Sequence, residues 1–148
     1  MPGTLSIAEG LQALAAKTEA AKPNAGTENI LLVEDNTLIL ENSATVLSDL
    51  GYKVKTASDA AEAVQTLVEG FTPKLMCCDI VMPGGMNGVE LSRHIKELMP
   101  DIKVLLVSGY GADLMDGATN QDGFRLLSKP YTADELSGRI RNILDGVI

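Results

Sequence analysis

The chain has 148 residues, 45% of them hydrophobic and 22% charged, which excludes a disordered or fibrous protein and allows one core of ordinary size. With 12 Lys and Arg against 20 Asp and Glu, the formal charge of -8 repels nucleic-acid backbones and anionic membranes, so neither is expected as a partner. No apolar run reaches the 18 residues of a membrane span, and the adjacent Cys77 and Cys78 read as reduced core thiols, which points to the cytoplasm.

Ser6 and Glu9 fit a capping box, and Ile7, Leu11, Leu14 and Thr18 then recur on one face of a helix to about residue 21. Lys22 to Asn29 is polar, contains Pro23 and Gly26, and reads as a linker. The division is therefore a helical extension with linker over 1–28 and one domain over 29–148. From Ile30 the chain alternates. A strand to Val33 precedes a helix over 37–50, with Ile39, Leu40, Ala44, Leu47 and Leu50 at helical spacing. Gly51 suits the helix end, 52–57 is a strand, and Ser58 or Asp59 caps a helix to Gly70 with Ala60, Ala63, Val64, Leu67 and Val68 inward. Strands at 74–78 and 103–107 enclose a helix over 88–99. A short helix is expected over 112–119, a fifth strand over 124–127 and a last helix over 132–144. Strict alternation with short apolar strands implies a doubly wound α/β domain, a parallel sheet covered on both faces.

In such sheets functional groups gather at the carboxyl ends of the strands. Glu34 and Asp35 stand there after the first strand, Asp79 after the third, Ser108 after the fourth and Lys129 after the fifth. Neighbouring strands lie about 5 Å apart, so acids from the first and third strand ends would repel unless a cation resolved them. Mg²⁺ suits one or two carboxylates with phosphate oxygens, and Mn²⁺ could substitute. With that ion and Lys129 in place, a phosphoryl group on Asp79 would meet two cations and the Ser108 hydroxyl, making Asp79 a nucleophile.

The segments VEDN at 33–36, CDIVMPGGMNG at 78–88, LVSGY at 106–110 and SKPY at 128–131 resemble the receiver domain of two-component response regulators, over about residues 29–146. The resemblance implies a flavodoxin-like fold with strand order 2-1-3-4-5. It also implies a phosphoryl group passed to Asp79 from the phosphohistidine of a histidine kinase or histidine phosphotransfer protein. It implies Mg²⁺ held by Glu34, Asp35, Asp79 and the backbone carbonyl of Val81, with Asp35 favoured over Glu34 for direct contact. Lys129 would pair with the phosphoryl group, and the Lys129–Pro130 bond would be cis. Ser108 would then move toward the new oxygens, and a changed surface would signal to a downstream protein, with a homodimer left open.

Two features depart from the family pattern. Receivers carry Phe or Tyr three positions before the lysine, where this chain has Leu126, so Tyr110 or Phe124 is the candidate substitute. The PGGMNG turn holds one residue more than the common version. The chain ends after the fifth helix, so output is expected from this domain's own surface or from a longer protein; a free-standing regulator is favoured over a piece of a hybrid histidine kinase. A Mg²⁺-dependent phosphatase with an aspartate nucleophile is the rival from another class, but it needs an acid where Val81 stands. A flavin domain of the same topology needs phosphate donors where Glu34 and Asp35 stand. His94, with no second histidine, reads as a surface helix residue.

Overall fold

The computed structural model describes residues 6–8, 24–82, 86–109 and 123–146. Nine elements follow in order: β1 (Asn29–Val33), α1 (Thr37–Asp49), β2 (Lys53–Ala57), α2 (Ala60–Val68), β3 (Leu75–Asp79), α3 (Gly88–Leu98), β4 (Lys103–Ser108), β5 (Arg125–Ser128) and α4 (Ala133–Leu144). Residues 7 and 8 are helical; the rest of the expected N-terminal helix, Tyr110 and the helix expected over 112–119 lie outside the described residues. Among the described residues no helix is long and apolar enough to cross a membrane.

The five strands form one parallel sheet in the order β2-β1-β3-β4-β5, the order expected from the resemblance. Side-chain alternation divides its residues between two cores. Leu31, Val33, Met76, Cys78, Val104, Leu106 and Leu126 point to one face, where Ala63 of α2 and Leu91 and Ile95 of α3 cover them. Ile30, Leu32, Leu75, Cys77, Leu105, Val107 and Leu127 point to the other, under Leu47 of α1 and Leu136, Ile140 and Ile143 of α4. Among the described residues the buried area is thus shared by two helix pairs, one on each face, as in a doubly wound sheet.

Each of the helices α1 to α4 begins where a polar side chain takes up an otherwise unpaired amide. Asn36 accepts from the Ile39 amide at 3.1 Å and Asp59 from that of Glu62 at 2.8 Å. Asn87 with Glu90, and Thr132 with Glu135, form complete capping boxes. Gly51, at φ +104°, ends α1 in the left-handed conformation that only glycine takes up freely.

One inward assignment is corrected. Val64 and Val68 are exposed, at 46% and 74%, whereas Ala60, Ala63 and Leu67 face the core. The helix lies over edge strand β2, of which only Ala57 is buried, so one narrow stripe at i, i+3 and i+7 suffices to cover it.

Candidate functional site

Strand register sets the site. Val33 lies beside Cys78, Asp79 beside Val107, and Ser108 beside Ser128. Glu34, Asp79, Ser108 and Lys129, each at or just past a strand end, therefore reach one edge together. The backbone continues this alignment across the strand ends: the Lys129 amide donates to the Ser108 carbonyl at 2.7 Å and the Ile80 amide to that of Val107 at 2.9 Å.

The Lys129 ammonium joins the two buried acids, lying 2.5 Å from Glu34 Oε1 and 2.9 Å from Asp79 Oδ2. Each carboxylate keeps its second oxygen for a backbone amide. Glu34 Oε2 accepts from Asn36 at 3.0 Å and Asp79 Oδ1 from Val81 at 3.3 Å. Glu34 and Asp79 are only 7% and 6% exposed, while Asp35 is open to solvent. Burial works against the Lys129 charge, but its hydrogen bonds to Glu34 and Asp79 outweigh that and hold its pKa above the usual lysine value. The Asp35 carboxyl is raised, first by partial desolvation and then by the neighbouring Glu34.

One ligand oxygen from each of Glu34, Asp35 and Asp79 lies within 4.8 Å of the others. Three carboxylates against one ammonium leave a net charge of minus two, with only hard oxygen donors. That donor chemistry fits a magnesium-like ion. The acids open into a cleft of about 720 Å³, also lined by Asn36, Ile39, Asn42 and Ser43 of the α1 region and by Pro130 and Tyr131.

Of the residues singled out from sequence, Glu34, Asp35, Asp79, Val81, Ser108 and Lys129 all line this cleft. Val81 is 73% exposed. Ser108 Oγ is turned to the Gly109 carbonyl, at 3.4 Å. The Lys129–Pro130 bond is cis, as expected. Phe124 is half-buried and packs in the same core as Leu126, so the expected alternation holds; Leu126 itself is buried, with no aromatic ring at its position.

Sequence reasoning overlooked Ser43 and Tyr131, whose hydroxyls are 2.9 Å apart on the wall of the cleft. A serine on the inward side of α1, between Leu40 and Leu47, was the available signal. Cys77 and Cys78 are buried and free; burial pushes the Cys77 thiol up to about 12 and that of Cys78 higher still. Their role as inert core residues follows from that environment.

Comparison with known proteins agrees with this arrangement. The family model described as response regulator receiver domain matches residues 30–141. The response regulator receiver protein CpdR of Brucella abortus is 33% identical over 79% of this chain and 97% of its own length. The sensor kinase CckA of the same organism is 32% identical over 87% of this chain, which corresponds to 14% of that kinase. Among solved structures, a receiver domain protein from Clostridium thermocellum superposes with a TM-score of 0.71 at 29% identity, covering 80% of this chain and 95% of the other. A flavodoxin-like sheet with an acid cluster and a lysine at its carboxyl edge defines a signalling domain of the two-component type. The chain belongs to the response regulator receiver domain family, rather than to the phosphatases or flavin-binding domains that share features of its sheet.

Proposed function

We propose that this receiver accepts a phosphoryl group on Asp79 from a phosphohistidine, in a reaction that requires Mg²⁺ or Mn²⁺ and is promoted by the domain's own residues. The reading rests on one observation. Asp79 is a buried carboxylate in direct contact with an ammonium, beside two further acids, at the floor of an open cleft.

Glu34, Asp35, Asp79 and the carbonyl of Val81 would hold the ion. When bound it supplies positive charge to the phosphoryl oxygens. A carboxylate oxygen of Asp79 forms a bond to phosphorus as the P–N bond of phosphohistidine breaks, and the electron pair leaves with the imidazole nitrogen. Lys129 is already poised at Asp79 and pairs with the transferred group, while Ser108 turns from the Gly109 carbonyl toward the new oxygens.

The donor is a histidine kinase or a histidine phosphotransfer protein, in keeping with a relative named as a sensor kinase. The same chemistry would serve a receiver that stands alone and one within a longer protein. A cytoplasmic setting agrees with the two reduced thiols. Output passes to a downstream protein through a surface whose population shifts on phosphorylation.

Incubation with phosphoramidate and Mg²⁺ should give one base-labile phosphoryl group per chain. Label should be absent from Asp79→Asn and after chelation. Undiminished labelling of Asp79→Asn would overturn the assignment.

A further inference from the structure

The cleft that holds the acids also carries a hydrogen bond that phosphoryl acceptance, as described, does not use. Tyr131 stands two residues after Lys129, in the turn between β5 and α4, and its ring packs in the core beneath α1 and α4. Its hydroxyl meets Ser43 Oγ at 2.9 Å, and Ser43 is only 7% exposed on α1. Burial raises the Tyr131 phenol, first of all causes, so the group stays protonated and can donate. A small void of about 10 Å³ is lined at once by Ser43, Tyr131, Cys77, Glu34 and Asp79. The hydroxyl pair and the two carboxylates thus border the same small space.

The connection matters because Lys129 has two demands to meet. Its ammonium contacts Glu34, which is fixed by the Asn36 amide at the start of α1, and Asp79, which is fixed by β3. The β5–α4 turn must therefore stay in register with α1 as well as with the sheet. We propose that the Tyr131–Ser43 hydrogen bond is a positioning link: it ties the turn that carries Lys129 to α1, so that the ammonium reaches Glu34 and Asp79 together. The inference rests on the phosphoryl-acceptor reading for its consequence, but its geometry can be tested apart from it.

Lys129 side-chain nitrogen can be followed by ¹⁵N–¹H correlation of the folded protein, its signal assigned by loss in Lys129→Met. An ammonium held between two carboxylates exchanges its protons slowly. Tyr131→Phe and Ser43→Ala should each speed that exchange and each slow phosphoramidate labelling by roughly fivefold, the size of one buried neutral hydrogen bond expressed as a rate. The double variant should lose no more than either single one, because both remove the same link. Ser43→Thr, which keeps the hydroxyl, should restore both readouts. Val104→Ala, a cavity on the other face of the sheet, should lower stability and change neither.

Unchanged Lys129 exchange in both single variants overturns the proposal, and so does a double variant that loses the sum of the two. If the wild type takes no label at all, the phosphoryl reading fails, while the Lys129 signal still decides whether the link positions the lysine.

Discussion

Gly88 opens α3 directly behind Asp79, and the close approach there has a measurable consequence. A Cβ on Gly88 would run into the backbone carbonyl oxygen of Asp79, and would lie 2.9 Å from its carbonyl carbon and 3.0 Å from Ile80 Cα. All three are backbone atoms of the strand end, so no side chain can swing aside. The Gly88 amide also donates to the Ile80 carbonyl at 2.8 Å, which fixes the helix to the same segment. Overpacking of this kind costs about 1–3 kcal/mol, and the helix preference of alanine over glycine returns up to about 1 kcal/mol. The balance is a net loss of up to about 3 kcal/mol for Gly88→Ala, at about 2–4 °C of Tm per kcal/mol in a chain of this size. Because the displaced atoms belong to Asp79, phosphoramidate labelling should slow as well. Gly138 in α4 supplies the contrast. The nearest atom to its added Cβ is Asn24 Nδ2 at 3.7 Å, an ordinary contact. Helix preference then decides, and Gly138→Ala should gain about 0.5–1 kcal/mol. Thermal unfolding followed by circular dichroism reads both signs. Wild-type Tm and wild-type labelling in Gly88→Ala would show that α3 does not rest on the Asp79 backbone.

Other perturbations test the remaining parts of the fold. Arg141 grips Glu28 at 2.7 and 3.1 Å, and its hydrogen bonds hold the Glu28 carboxyl at about 2. The unfolded chain therefore takes up the proton first, so this contact stabilises fully above about pH 4.5 and its contribution is lost as the pH falls toward 2. Since the Glu28 side chain is 27% exposed, screening reduces the contribution to about 1 kcal/mol. Urea titrations between pH 6 and pH 2.5 should show Glu28→Gln falling less steeply than wild type. Ile140→Ala, at a fully buried site under the sheet, should cost about 2–5 kcal/mol, whereas Val68→Lys, at a 74% exposed one, should stay within about 0.5 kcal/mol of wild type by chemical denaturation. Cys77 and Cys78 should resist iodoacetamide at pH 8 in the folded protein and react once it is unfolded, as counted by mass spectrometry.

The parallel sheet was legible because its inner strands are short apolar runs, and edge strand β2 alternates, each punctuated by caps and turns. Asp59, Asn87 and Thr132 each sit one residue before a helix, and Glu62, Glu90 and Glu135 follow three residues later. The acids and the lysine were legible for a related reason: a charged residue ending an apolar run has few places to go other than the strand edge. What sequence could not convey was how wide a stripe each helix must bury. Val64 and Val68 match the apolar pattern as well as Ala63 does, yet α2 covers an edge strand and has little sheet to rest on. Nor could spacing reveal the partners of Arg141, which binds Glu28 and the Ala25 carbonyl more than a hundred residues away and lies 5.9 Å from the centre of the Tyr52 ring. Contacts of that separation are created by the fold and leave no local periodicity.

The charge count at the cleft explains why one site can hold three acids without losing its structure. Glu34 and Asp79 would be costly as isolated buried charges, but each has one oxygen on the Lys129 ammonium and the other on a backbone amide. Asp35 meets the problem differently, by staying in solvent. In the proposed reaction Asp79 exchanges a single negative charge for a phosphoryl group carrying about two. Lys129 already spans Glu34 and Asp79, so it need not travel to meet that group; it has only to shift its balance from Glu34 toward the new oxygens. Glu34 then gives up part of its cation as the phosphoryl group gains it, and its remaining anchor is the amide of Asn36, the residue that caps α1. In the proposed reaction, phosphorylation at the end of β3 would thus be felt at the start of α1 as well as at β5, through one lysine shared by two carboxylates.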